Sequence, residues 1–92
     1  MAQKNWHSAD IIAALRKRGT SLAAVSREAG LSSSTLANAL TKPWPKGELL
    51  IARAIGVDAA IIWPERYYDD SGRRLAREAL IRNYPKPTIK MP

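Results

Sequence analysis

The sequence predicts an all-α domain of four to five short helices, compact, with two of the helices joined as a helix-turn-helix. Three observations point there. Apolar residues recur at helical spacing in short blocks along the chain. Gly or Pro closes each block, at Gly19, Gly30, Pro43, Gly56 and Pro64. Within residues 22–41, LAAVSREAGLSSSTLANALT, two of these blocks flank Gly30 in the register of a helix-turn-helix.

The first helix is expected over residues 8–18, with Ile11, Ile12 and Leu15 as its apolar stripe and His7 or Ser8 as cap. Asp10 sits in its first turn and Arg16, Lys17 and Arg18 in its last, each where the helix dipole favours that charge. A second helix over residues 21–29, capped by Thr20 or Ser21, turns Leu22, Val25 and Ala29 to one face. Gly30 then takes the position after the cap, and Leu31 supplies the apolar contact that accompanies such a stop. The third helix spans residues 33–40, capped by Ser32, with Leu36 and Ala39 or Leu40 inward. Pro43 and Pro45 end it, since KPWPK cannot be helical.

A fourth helix runs from Lys46 or Gly47 to Ile55 with Ile51, Ala52 and Ile55 inward, stopped by Gly56 and Val57. Asp58 caps a short turn over residues 59–62 that Pro64 closes. Apolar residues at 75, 76, 79 and 80 predict a fifth helix over residues 73–82, and PKPTIKMP, with its three prolines, reads as a frayed tail. The chain thus divides into a helix-turn-helix domain over residues 1–68 and a basic extension over residues 69–92, with a short helix and then a flexible tail.

Composition narrows the function. Ninety-two residues make one domain with a small core, burying about 60–65% of its unfolded surface. The absence of cysteine excludes a disulfide framework, a thiolate metal site and a cysteine nucleophile. Residues 1–10 lack the apolar core of a signal peptide, and the longest apolar runs are about five residues. A soluble cytoplasmic protein is expected, with no membrane role. Fifteen Lys and Arg against eight Asp and Glu give a formal charge of +7, which concentrates polyanions without choosing among them.

The choice comes from residues 22–41. Ser26 is small where two helices cross, and Gly30 follows four positions later, where a left-handed residue is needed. Val25, Ala29, Leu31, Leu36 and Ala39 fall where apolar residues lock the helices at a steep angle. The second helix opens on four hydroxyls, Ser32, Ser33, Ser34 and Thr35, more than capping requires. These, with Ala37, Asn38 and Thr41, are the candidate base contacts: hydroxyls donate or accept, Ala packs on a thymine methyl, and Asn pairs with adenine. Candidate phosphate contacts are Arg16, Lys17, Arg18, Ser21, Arg27, Lys42 and Lys46. Trp6, Trp44 and Trp63 are expected to pack structurally.

Catalysis has little support. His7 reads as a cap and the Asp69–Asp70 pair as part of a turn, YYDDSG. No phosphate-cradling loop, nucleophile elbow or metal-ligand spacing is present, so no enzyme activity, cofactor or small-molecule substrate is expected. The competing reading is a basic helical interaction module of a phage or toxin–antitoxin assembly. Single-stranded nucleic acid would instead require exposed aromatic platforms.

With those residues in place, the chain resembles the Ner-like and Nlp (sugar fermentation stimulation B) family of helix-turn-helix transcriptional regulators. The likeness is carried by WHSADIIAALRKRGTSLAAVSREAGLSSSTLANAL, KPWPKGELLIARAIGV and IIWPERY, and covers residues 6–68. It implies a lambda-repressor-like fold, a double-stranded DNA operator as partner, and a recognition helix over residues 32–40. Its solvent-facing polar positions fall on Ser33, Ser34 and Asn38, flanked by Lys42 and Lys46. The small size of one recognition helix adds the expectation of a homodimer on DNA.

Overall fold

The computed structural model describes residues 4–77. Among these residues six helices follow one another: α1 (Ser8–Lys17), α2 (Leu22–Glu28), α3 (Asn38–Thr41), α4 (Pro45–Ile55), α5 (Ala59–Ile62) and α6 (Pro64–Tyr67). Among the described residues the β pairing is a single antiparallel bridge between Tyr68 and Arg74. No helix there is long and apolar enough to cross a membrane.

Side-chain caps fix where three of these helices begin. His7 Nδ1 accepts the Ala9 N–H at 3.0 Å, Ser21 Oγ accepts the Ala24 N–H at 3.1 Å, and Asp58 Oδ1 accepts the Ala60 N–H at 2.8 Å. Each satisfies an N–H that its helix leaves without a partner. Two later helices start differently. Pro45 opens α4 and Pro64 opens α6, both in the first helical position, where proline's missing N–H costs nothing. From sequence both prolines read as stops, and α6 is not expected.

α4 lies at the centre, in contact with α1, α2, α3 and α5. Ile51, Ala52 and Ile55 on this helix meet Ile11 and Leu15 of α1, Val25 of α2, and Leu36 and Ala39 in one buried cluster with Ile62, Trp63 and Tyr67. Ile12 is not part of the stripe expected for it: one residue on from Ile11 it turns outward and is 37% exposed. Trp6 is tied to the bundle by its backbone N–H, which donates to the Ile62 carbonyl at 2.8 Å. Trp44 lies across Gly47 so closely that a Cβ there would fall 2.3 Å from the indole, which is why glycine occupies this position.

The core also holds charge. Glu48 is wholly buried; its Oε2 sits 2.9 Å from Arg66 Nη1 and its Oε1 2.7 Å from Arg77 Nη1. The Trp44 backbone N–H donates to Oε2 at 2.7 Å as well. Arg77 packs over the Tyr67 ring, 5.0 Å from its centroid. This contact, with the Glu48 ion pair, pins residue 77 to the core. Residues 73–76, the expected first turn of a fifth helix, are not helical: Leu75 donates to the Tyr67 carbonyl at 2.8 Å and Arg74 pairs with Tyr68. The Arg73 carbonyl, which the first turn of such a helix would use, instead accepts the Asp69 N–H at 2.9 Å. The remainder of that expected helix and the PKPTIKMP tail lie outside the described residues.

Candidate DNA-binding edge

The turn between α2 and α3 is built as the sequence suggests. Ala29 caps α2, Gly30 follows at φ 81°, the Gly30 N–H returns to the Arg27 carbonyl and the Leu31 N–H to the Ser26 carbonyl. This is the paired closure that a left-handed residue after a helix permits, and glycine adopts that conformation without steric cost.

The segment after the turn departs from expectation. Residues 33–40 do not form one helix capped by Ser32. Residues 33–37 are a run of tight turns, with Thr35 bonded to the Ser32 carbonyl, Asn38 to Thr35, Ala39 to Leu36 and Leu40 to Ala37, each three residues back. Only then does α3 begin. The cause is Ser26, which is wholly buried. An α-helix starting here would bond the Leu36 N–H to the Ser32 carbonyl. Instead the Leu36 N–H donates to Ser26 Oγ at 3.3 Å, and the Ser26 hydroxyl donates to the Ser32 carbonyl. The hydroxyl sits in the gap of the missing bond, and the chain tightens around it. Ser26 therefore contributes a hydrogen bond as well as small size.

Ser32, Ser33, Ser34, Ala37, Asn38 and Thr41 are all exposed, while Leu36 and Ala39 face inward and Thr35 is half-buried. The edge is partly pre-ordered. Ser32 and Thr35 share a hydroxyl–hydroxyl hydrogen bond of 2.6 Å, and Thr41 Oγ1 donates to the Asn38 carbonyl at 3.4 Å. Arg27 Nη1 donates to Ser33 Oγ at 3.0 Å, which leaves the Ser33 proton free to be donated elsewhere. Ser34 and Asn38 keep their side-chain polar atoms uncommitted among the described residues.

Arg16, Lys17, Arg27, Lys42 and Lys46 are exposed cations, and α2 holds Ser21 at its start. Arg18 has a second engagement. Its guanidinium rests against Gly56, so that a Cβ on that glycine would lie 2.5 Å from Nη2. It thereby places positive charge at the C-terminal end of α4, where the helix dipole favours it. Trp63 and Tyr67 are 1% exposed and belong to the core. In the YYDDSG turn, Asp69 Oδ1 accepts from the Ser71 hydroxyl and from the Ser71 and Arg73 N–H groups. These hold its carboxyl below the usual carboxylate range, the Ser71 hydroxyl foremost.

Sequence does not single out Glu48, Arg66 or Arg77. A signal exists for the first: an acidic residue in the opening turn after a Pro at the first helical position reaches back to a free N–H, as Glu48 does to Trp44. The two arginines come from 18 and 29 residues further on, and no local pattern marks them.

A turn closed by Gly30, a buried crossing serine and an exposed polar edge bounded by cations define a helix-turn-helix DNA-binding protein of the kind that regulates transcription. Comparison with known proteins agrees. The chain matches the family described as winged helix-turn-helix DNA-binding over residues 5–79, and it belongs to that family, on its Ner-like branch. It is 61% identical over 84 residues to sugar fermentation stimulation protein B of Escherichia coli strain K12, covering 90% of this chain and 91% of that protein. To the negative regulator of transcription of Escherichia phage Mu it is 53% identical over 64 residues, 70% of this chain and 85% of the phage protein. The solution structure of the Mu Ner protein superposes with a TM-score of 0.61 at 54% identity, covering 68% of this chain and 85% of that one.

Proposed function

We propose that this protein binds a specific duplex operator by seating residues 32–41 in the major groove, and regulates transcription by occupying that site. The observation that carries the reading is the set of uncommitted, exposed side chains Ser34, Ala37 and Asn38 on one edge, beside the exposed Lys42 and Lys46. Asn38 offers the bidentate pairing that adenine accepts, worth about 1–3 kcal/mol of discrimination, and Ala37 suits a thymine methyl. Ser33, which accepts from Arg27 Nη1, keeps its hydroxyl proton to give to a base acceptor. Arg16, Lys17, Arg27, Lys42 and Lys46 meet phosphates, and Ser21, which caps α2 through its oxygen, retains a proton for one.

One short reading segment covers few base pairs, so two copies bind half-sites about 34 Å apart. One relative is named for stimulation and another for negative regulation; the sign follows from where the operator lies relative to the promoter. The protein acts in the cytoplasm and performs no chemistry on its duplex.

Salt titration tests the phosphate half of this reading. Lys42→Ala and Lys46→Ala are expected to weaken binding to every duplex alike. Each should also flatten the dependence of log K on log salt by about one unit per phosphate left without its cation. A weakening confined to the operator sequence would make these lysines base readers instead. Sedimentation of the complex on a palindromic site tests the pairing, and a single protomer per operator would reject it.

A further inference from the structure

The carbonyls that end a helix need donors from outside it. α3 ends two residues before Pro43, and proline has no N–H to give. The Ala39 carbonyl is thereby deprived of the partner another turn would have supplied. The Leu40 carbonyl would take the Trp44 N–H, but that group donates to Glu48 Oε2 at 2.7 Å. The Lys42 N–H returns to Asn38 at 2.9 Å. Both orphaned carbonyls are met by one distant side chain: Arg66 Nη1 donates to the Ala39 carbonyl at 2.7 Å, and Nη2 reaches the Leu40 carbonyl at 3.5 Å. The same Nη1 donates to Glu48 Oε2 at 2.9 Å. The guanidinium is held over the Trp63 ring, 5.2 Å from its centroid, and the side chain is 11% exposed.

We infer that Arg66 is a positioning residue for base readout: it caps the C-terminal end of α3 and ties it through Glu48 to α4, fixing the angle at which Ser34, Ala37 and Asn38 meet the duplex. This rests on the base-reading role proposed for residues 32–41. Arg66 is turned into the protein and acts through the helix it holds. Its planar fork serves two carbonyls and a carboxylate together, which the single ammonium of lysine cannot reproduce. Base contacts tolerate displacement of only about 0.5 Å, so loosening this cap is felt at the reading edge.

The test compares Kd for a site selected from random duplexes with Kd for a scrambled duplex, using wild type, Arg66→Lys, Arg77→Lys and Asn38→Ala. Arg66→Lys is expected to keep the scrambled-duplex affinity and its salt slope, and to lower the specific-to-scrambled ratio about tenfold, the size expected for one base pairing. Arg77→Lys disturbs the same carboxylate without touching α3; it is expected to lower Tm and leave the ratio unchanged. An intact ratio in Arg66→Lys, with a lowered one in Asn38→Ala, overturns the positioning role while base reading stands. A ratio unmoved by Asn38→Ala removes the base-reading role, and this inference with it. If Arg66→Lys does not fold, guanidinium NMR of the wild type decides. Separate, slowly rotating Arg66 Nη protons close to α3 are expected, and one rapidly averaged signal overturns the cap.

Discussion

Ser26 and Glu48 are both wholly buried, and both hold residues 32–41, one at the start and one at the end. Ser26 does so with a neutral hydroxyl placed between the Ser32 carbonyl and the Leu36 N–H, six and ten residues away. Glu48 does so through charge, gathering Arg66, Arg77 and the Trp44 N–H from three separate stretches of chain. The two devices differ in what their removal exposes. A neutral hydrogen bond contributes about 0.5–1.5 kcal/mol net, and its former partners can relax towards one another. Removing the carboxylate leaves two nearly buried guanidiniums with nothing to neutralise them. The start of residues 32–41 is therefore adjustable and their end is anchored, which under the proposed major-groove reading suits an edge that fits itself to a groove without changing its angle to the body.

Glu48→Ala breaks the anchored end and carries the largest expected effect. It should destabilise the fold by about 3–5 kcal/mol, since an unpaired buried charge is far costlier than an absent ion pair. At about 4–8 °C per kcal/mol for a domain of this size, the melting temperature should collapse. A variant melting within a few degrees of wild type would make the ion cluster incidental. At the adjustable end, Ser26→Ala should lose less, about 1–3 kcal/mol by thermal or chemical melting. A loss near zero would mean that Ser32 and Leu36 pair directly once the hydroxyl is gone.

The turn between the two serves as a measure of pure backbone cost. Nothing lies within 4 Å of a Cβ built on Gly30, so Gly30→Ala meets no clash and pays only for its φ of 81°. The expected loss is about 1–2 kcal/mol, with Gly30→Asn milder and Gly30→Val worse. Equal melting of all three would place the constraint elsewhere.

The smallest effect belongs to Asp58. Its carboxyl is held below the usual range by the Ala60 N–H first and by the Arg74 guanidinium next. A carboxylate with a depressed folded pKa contributes stability that is fully present above its unfolded value, about 3.9, and is lost as pH falls through the folded value. Thermal melts of wild type should therefore lose stability below about pH 4, and Asp58→Asn should soften that fall. Its side chain is 49% exposed and solvent screens the pair, so the change should stay within about 1 kcal/mol.

What sequence could show follows from reach. The caps at His7, Ser21 and Asp58, the Gly30 closure and the inward positions of Leu36, Ala39, Ile51, Ala52 and Ile55 all depend on neighbours within a few residues, and all are legible in the sequence, with His7, Ser21 and Ala39 each as one of two neighbouring candidates. The exposed polar edge followed from the same periodicity. The start of the third helix did not, because the competitor for its first bond sits on the preceding helix. Ile12 misled because an apolar residue can lie beside a stripe without joining it. Pro45 and Pro64 misled because a proline that ends one element can equally open the next. The Glu48 cluster joins residues 18 and 29 apart, and no window of helical length contains it.

Selection of bound sequences from random duplexes, run in parallel with wild type and Asn38→Ala, bears on the major-groove reading at its root. Both proteins should recover the same site except at one adenine, where the variant becomes indifferent at a cost of about 1–3 kcal/mol for that base pair. Identical sites from the two proteins, or no preferred site from the wild type, would contradict it.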